Sequence, residues 1–115
     1  MSVLYHLMNT PCSNASVEYS DNRIALYVAQ NGKCAVTGME LEANQVDCHH
    51  KIPIEYGGKD DNGNLIIVSD VIHILIHANN EKTIQKYLAV VELNEKQLKK
   101  LNKLRELAHR QALVY

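Results

Sequence analysis

Apolar and polar positions divide this chain into an unpatterned start and a strongly patterned remainder. Residues 1–18 show no periodicity, and Thr10-Pro11-Cys12-Ser13-Asn14 is turn-forming, so positions 1–18 read as a linker or flexible arm. Ile24, Tyr27 and Val28 recur at helical spacing, which predicts a helix opened by Ser20 or Asp21 and closed by Gly32. Lys33 to Val36 and a stretch around Leu41, joined by Thr37-Gly38, predict a short hairpin. Residues 45–52 predict a strand, and Pro53 stops it by biasing Ile52 toward extended backbone. Glu55 to Gly63 is loop, with Asn62-Gly63 a tight-turn signal before the β-branched strand Asn64 to Val68. Ser69 suits an N-cap and Asp70 a first turn, so a helix follows to Ala78. Asn79-Asn80 breaks the pattern, and Glu81 to Leu93 predicts a helix burying Ile84, Leu88 and Val91. Asn94 with Gln97 signals a capping box for a last helix to about Val114, its stripe being Leu98, Leu101, Leu104, Ala108 and Ala112.

The elements describe an α+β domain, and 115 residues with 46% apolar content suffice for one domain with a real core. The longest apolar run, Val71 to Ala78, carries two histidines, so no membrane span or membrane partner is expected. The start lacks the basic flank and sustained apolar segment of a signal peptide. Three cysteines without secretory signals suit reduced thiols in a cytoplasmic protein. The net charge of -1 hides an asymmetry: residues 1–94 hold six Lys/Arg against eleven Asp/Glu, residues 95–115 six against two. A basic terminal helix is either a phosphate-contacting element or the solvated face of an amphipathic helix.

Chemistry concentrates between Asp47 and Ala78, which hold four of the six histidines. His73 and His77 lie four apart, on one helical face, and can reach one metal ion. Read blandly they are polar residues on a half-exposed helix, but the surrounding Val71, Ile72, Ile74, Leu75 and Ile76 imply burial, and buried imidazoles need partners. The preceding strand supplies a third ligand. Neighbours on a strand point to opposite faces, so only one of His49 and His50 joins the ion, and the other is left over as a base.

The series His49-His50, Gly57-Gly58, Asn64-Leu65, His73, His77 resembles the HNH nucleases, also called ββα-metal or His-Me finger nucleases. The longer string Cys34-Ala35-Val36-Thr37-Gly38, C-H-H-K-x-P at 48–53, G-G-x-D at 57–60 and V-x-H-x-L-I-H-A ending at Ala78 is similar to one branch. That branch is the C-terminal HNH domain of bacterial group II intron reverse transcriptase/maturases, and the resemblance covers residues 19 to about 113. It implies a ββα-metal core over about 45–79 with an N-terminal helix and a helical extension at 81–115, within a nuclease domain at 19–115. It implies His50 as general base, His49, His73 and His77 as ligands of one divalent ion, and Asn64 as the brace of the loop that aims His50. A histidine's ordinary pKa suits a base near neutrality. Mg²⁺ or Mn²⁺ is the expected ion for activity, and Zn²⁺ or Ni²⁺ can occupy the same ligands. The expected substrate is double-stranded DNA, nicked in group II intron mobility to leave a 3′ hydroxyl for reverse transcription. Intron RNA and reverse transcriptase domains are further partners if the chain belongs to a larger protein, and the bacterial nucleoid is the expected location.

One departure matters. The places where many HNH domains carry two C-x-x-C pairs read Cys34 and Thr37, then Ser69 and Ile72, so no structural zinc is expected. Cys48 reads as a core thiol, and His6 and His109 as surface residues. Lys51 and Lys59, which flank the site, and Lys99, Lys100 and Lys103 on the basic helix are candidate DNA contacts, or else ordinary surface lysines. The rival reading is a non-catalytic zinc module that binds nucleic acid through Cys48, His49, His73 and His77, in which His50 is incidental.

Overall fold

A computed structural model describes residues 16–113, together with Val3. The described residues form an α+β unit of four α-helices and a two-stranded antiparallel sheet. The order is α1 (Val17–Ala29), β1 (Val46–His50), β2 (Leu65–Ser69), α2 (Asp70–His77), α3 (Glu81–Val91) and α4 (Glu95–Leu107). Most of the arm expected at 1–18, and His6 with it, lies outside the described residues; Ser16 to Glu18 belong to the start of α1.

Helix α1 begins earlier than its apolar spacing suggested. Ser16 caps it, its hydroxyl accepting from the Tyr19 N–H at 2.9 Å, in place of Ser20 or Asp21. Its inward side carries Tyr19, Arg23, Leu26 and Tyr27, while Val28 is 54% exposed. Gly32, with a φ of 69°, turns the chain after the helix and donates to the Tyr27 carbonyl at 2.9 Å. The hairpin expected at 33–41 reduces to one bridge between Lys33 and Glu40. Cys34 still donates across the turn to the Met39 carbonyl, but Ala35 spends its amide on the Ile67 carbonyl of β2, so the ladder goes no further.

Strands β1 and β2 pair in a register that sets His49 opposite Ile66 and His50 opposite Leu65. The expected turn at Asn62-Gly63 is a short 3₁₀ turn, Asn62–Asn64, so β2 starts one residue later. Ser69 caps α2, accepting from the Ile72 N–H at 3.1 Å, as its position after the strand suggested. Helix α2 is the centre of the domain: it packs on both strands, on α3 and on α4, and Ile72, Leu75 and Ile76 are fully buried. Leu65, Ile67, Val68 and Leu101 complete that core. Removing about 100 Å² of apolar side chain from water contributes roughly 2.5 kcal/mol, so this helix alone anchors much of the fold.

Helix α3 is capped by Asn80 and ends at Val91, two residues short of the expected end, where Glu92 takes a left-handed φ of 46°. The capping box of Asn94 and Gln97 forms, and α4 follows. It stops at Leu107, short of Val114, because His109 takes a left-handed φ of 62° and the Arg110 N–H closes back on the Arg105 carbonyl at 2.7 Å. The buried Arg105 guanidinium donates to the carbonyls of Leu75, Ala78 and Gln111, tying the ends of α2 and α4 together. The Asn102 amide then clasps both backbone groups of Leu113 at 2.7 and 2.9 Å, which buries Leu113 and leaves Ala112 exposed. No helix among the described residues is long and apolar enough to cross a membrane.

Candidate metal and base site

The antiparallel pair and the helix after it bring three histidines together. His49 lies on β1, His73 and His77 lie one turn apart on α2, and α2 packs against β1. The rings meet edge to face with centroids 5.2 Å (His49–His73), 5.1 Å (His49–His77) and 4.9 Å (His73–His77) apart. One ligand nitrogen from each lies within 4.8 Å of the others, close enough for a single ion to touch all three. His49 is 2% exposed, His73 half-buried and His77 exposed, so the cluster runs from the core to the surface.

This cluster is poorly satisfied as it stands. The Nε2 atom of His49 is buried and has no hydrogen-bond partner. Buried polar atoms are nearly always paired, and an unpaired one costs about 1–3 kcal/mol. Protonation offers no relief: burial first, then repulsion from His73, His77 and His50, pushes the His49 pKa down to about 3. His77 is also lowered, by burial and then by His73, Arg110 and Arg105. Three clustered imidazoles with an orphaned buried nitrogen fit a divalent cation, which takes lone pairs rather than protons. Asp47, two residues before His49 on the strand, reaches toward His73, with Oδ2 3.5 Å from Nδ1. That is long for a hydrogen bond but close enough to bias the ring, as outer carboxylates do for ligand histidines.

His50 turns to different neighbours. Its Nε2 lies 2.7 Å from Asp60 Oδ1, and its ring stacks on Tyr19 at 5.3 Å with a 17° tilt. A carboxylate accepts, so this contact assigns the proton to Nε2 and leaves the lone pair on Nδ1. Asp60 is itself held. Ser16 donates to Oδ2 at 2.6 Å and Asn22 to the backbone carbonyl at 2.9 Å, both from α1. The hydrogen bond to His50, and then that from Ser16, keep the Asp60 carboxyl below the ordinary range. Tyr19 also donates its hydroxyl to the Cys48 carbonyl at 2.7 Å, fixing α1 on the strand that carries both histidines.

The loop between the strands is built to place Asp60. Asn64 is buried, and its side-chain oxygen accepts from the Ile52 N–H at 2.9 Å. Its amide nitrogen donates to the Ile52 and Lys59 carbonyls at 3.0 and 2.9 Å. Three bonds from one side chain close the loop that carries Gly57-Gly58. Gly58 lies so close to Ile52 that a Cβ there would sit 1.7 Å from its carbonyl oxygen.

Tyr19, Cys48, His49, His50, His73 and His77 line one cavity of about 460 Å³. Cys48 borders it without joining the three-histidine cluster, since its register partner is Ile67 and it projects from the opposite sheet face to His49. The expected lysines separate. Lys51, Lys100 and Lys103 line a common groove, Lys99 lines a different hollow with Asn94 and Lys96, and Lys59 is exposed on the glycine loop. His109 is exposed, as read, but also stacks on Tyr56 with centroids 3.7 Å apart. Sequence reasoning gave no role to Asp60, Tyr19 or Asp47. The signals for two of them were present: Asp60 ends the G-G-x-D string, and Asp47 shares the face of His49 by strand alternation. Tyr19 had no such signal. Compared with known proteins, the chain matches no family model, no curated protein and no solved structure.

Proposed function

We propose that this chain is a metal-dependent DNA endonuclease of the HNH type, with strands β1 and β2 and helix α2 as its ββα-metal core. The observation that carries the reading is one cavity holding two kinds of histidine. One is a cluster with an orphaned buried nitrogen, and the other is a single imidazole paired with a carboxylate. A bare structural zinc site needs the first and has no use for the second. That contrast, and the position of Cys48 on the other sheet face, weigh against the non-catalytic zinc module.

His49, His73 and His77 would hold one divalent ion, Mg²⁺ or Mn²⁺ in activity. Such an ion supplies Lewis-acid stabilisation of the charge that builds on a phosphoryl group and its leaving oxygen. The remaining chemistry belongs to the protein. His50, with its Nε2 proton directed at Asp60, takes a proton from the attacking water at Nδ1. The water oxygen bonds to phosphorus as the bond to the 3′ oxygen breaks, and the leaving oxygen is protonated from solvent, giving a 5′ phosphate and a 3′ hydroxyl. The positive charge that forms on the imidazole is stabilised by the Asp60 carboxylate. Tyr19 restricts the ring by stacking, and Asn64 fixes the loop from which Asp60 reaches it. A nick with a 3′ hydroxyl suits priming of reverse transcription, which is how the resemblance to group II intron proteins enters this reading.

The test is nicking of supercoiled plasmid with added Mg²⁺ or Mn²⁺, wild type beside His50→Ala. The variant is expected to keep its fold and its metal content while the rate falls by roughly two to four orders of magnitude. A wild-type rate in the variant, or no nicking by the wild type with either ion, would falsify the assignment.

A further inference from the structure

Lys51, Lys100 and Lys103 surround a groove of about 330 Å³ whose floor includes Ile66, Leu104 and Leu107. No acidic side chain lines it among the described residues. Lys51 is set at the rim by donating to the Gly63 carbonyl at 3.3 Å, and Lys100 and Lys103 project from one stretch of α4. The volume lies in the range of a site for a small organic ligand rather than a surface dimple. Its lining is of two kinds, three lysines and the apolar side chains of Ile66, Leu104 and Leu107.

The groove is tied to the metal cluster by the sheet. Ile66 is the register partner of His49, so the two project from the same face. Lys51 follows His49 by two residues, which is about 7 Å of extended chain and about two base steps of DNA.

Phosphates alone would account for the lysines but would leave the floor empty. A paired duplex offers this surface its backbone and the edges of its bases, but keeps the base faces stacked inside. An unpaired nucleotide offers both parts, an apolar base face and flanking phosphates. We propose that the groove binds one unpaired deoxynucleotide of the DNA strand, its base on Ile66, Leu104 and Leu107 and its phosphates on Lys51, Lys100 and Lys103. The site is distinct from the histidine cavity and makes the protein prefer DNA with a gap or a displaced strand beside the cut. This inference rests on the nuclease reading for its substrate class, but not on any catalytic step.

Two measurements on the full chain, both in EDTA so that no cutting occurs, test it. In methyl NMR, deoxyadenosine 5′-monophosphate should shift the Ile66, Leu104 and Leu107 resonances saturably, and inorganic phosphate should leave them in place. In an anisotropy titration, wild type should bind a gapped duplex about tenfold more tightly than the same duplex fully paired. Leu107→Asn should abolish that preference without changing affinity for the paired duplex. Lys100→Gln with Lys103→Gln should weaken binding to both DNAs and reduce the salt slope by about two. Equal affinity of wild type for gapped and paired DNA, or methyl shifts that phosphate reproduces, overturns the groove and leaves the nuclease reading standing. Failure to bind either DNA overturns both. If Leu107→Asn does not fold, the nucleotide titration on wild type decides the question alone.

Discussion

At the scale of single residues, the site depends on side chains that do not touch the expected ion. Asp60 is the clearest. Its bond to His50 sets which ring nitrogen carries the proton, so Asp60→Asn should leave metal content unchanged yet lower the nicking kcat about ten- to a hundredfold, with KM little altered. An equal loss of metal or of DNA affinity would show instead that Asp60 only supports the loop. His49 makes a prediction about acidity in the metal-free protein. Its folded pKa of about 3 lies below its ordinary 6.5, so in the interval between them the unfolded chain holds a proton that the folded chain does not. Stability from this residue is therefore full above the ordinary value and declines as pH falls. Between pH 6.5 and 5 the loss is about 2 kcal/mol, to be read from urea unfolding of EDTA-treated protein; a flat profile over that interval would contradict the burial of a neutral His49. Divalent ion should be released over the same interval, since it competes with protons for the same nitrogens.

Elements were legible where local signals act alone. Ser69 and Asn94 cap the helices that follow them as expected, and Asn80, expected only as a break, caps the helix between, because an N-cap needs only a short polar side chain beside free amides. Helix α1 was misplaced at its start because its inward face is built partly from Tyr19 and Arg23, which an apolar count passes over. The end of α4 lies earlier than its stripe suggests because His109, not a glycine, takes the left-handed turn that closes it. The glycine loop shows both cases. Gly-Gly is a visible break, but which glycine is indispensable depends on a backbone oxygen six residues earlier. Gly58→Ala must push Ile52 aside and should cost about 1–3 kcal/mol, with loss of nicking as Asp60 moves. Gly57→Ala, at a φ of 91° in open space, should cost about 1 kcal/mol and keep activity. Equal melting of the two variants would show that the loop yields at Ile52.

At the scale of the whole molecule, the three-histidine cluster could be anticipated because all its members fall within one contiguous strand–loop–strand–helix stretch. The carboxylate that holds His50 stands within the G-G-x-D string, but nothing local marks its role, since its restraint comes from the α1 region, on the far side of a long intervening segment. The hydrogen bonds that tie α1 and its caps to the rest of the domain span 44, 38, 37 and 29 residues, from Ser16 and Asn22 to Asp60, from Gln30 to Ile67 and from Tyr19 to Cys48. Contacts of such separation form late, because their loop-closure entropy is met before they return any stabilisation. The ββα stretch closes shorter loops. Order in time should thus follow separation along the chain: on refolding from urea with Co²⁺ present as a spectroscopic substitute, histidine ligation should appear first, and nicking competence in Mn²⁺ should return in a slower phase as α1 docks. Simultaneous return of the two signals would mean that helix and histidines assemble as one cooperative unit. On the proposed reading, the clamp from Ser16 through Asp60 to His50 would separate the moment at which the protein binds its ion from the moment at which it can cut.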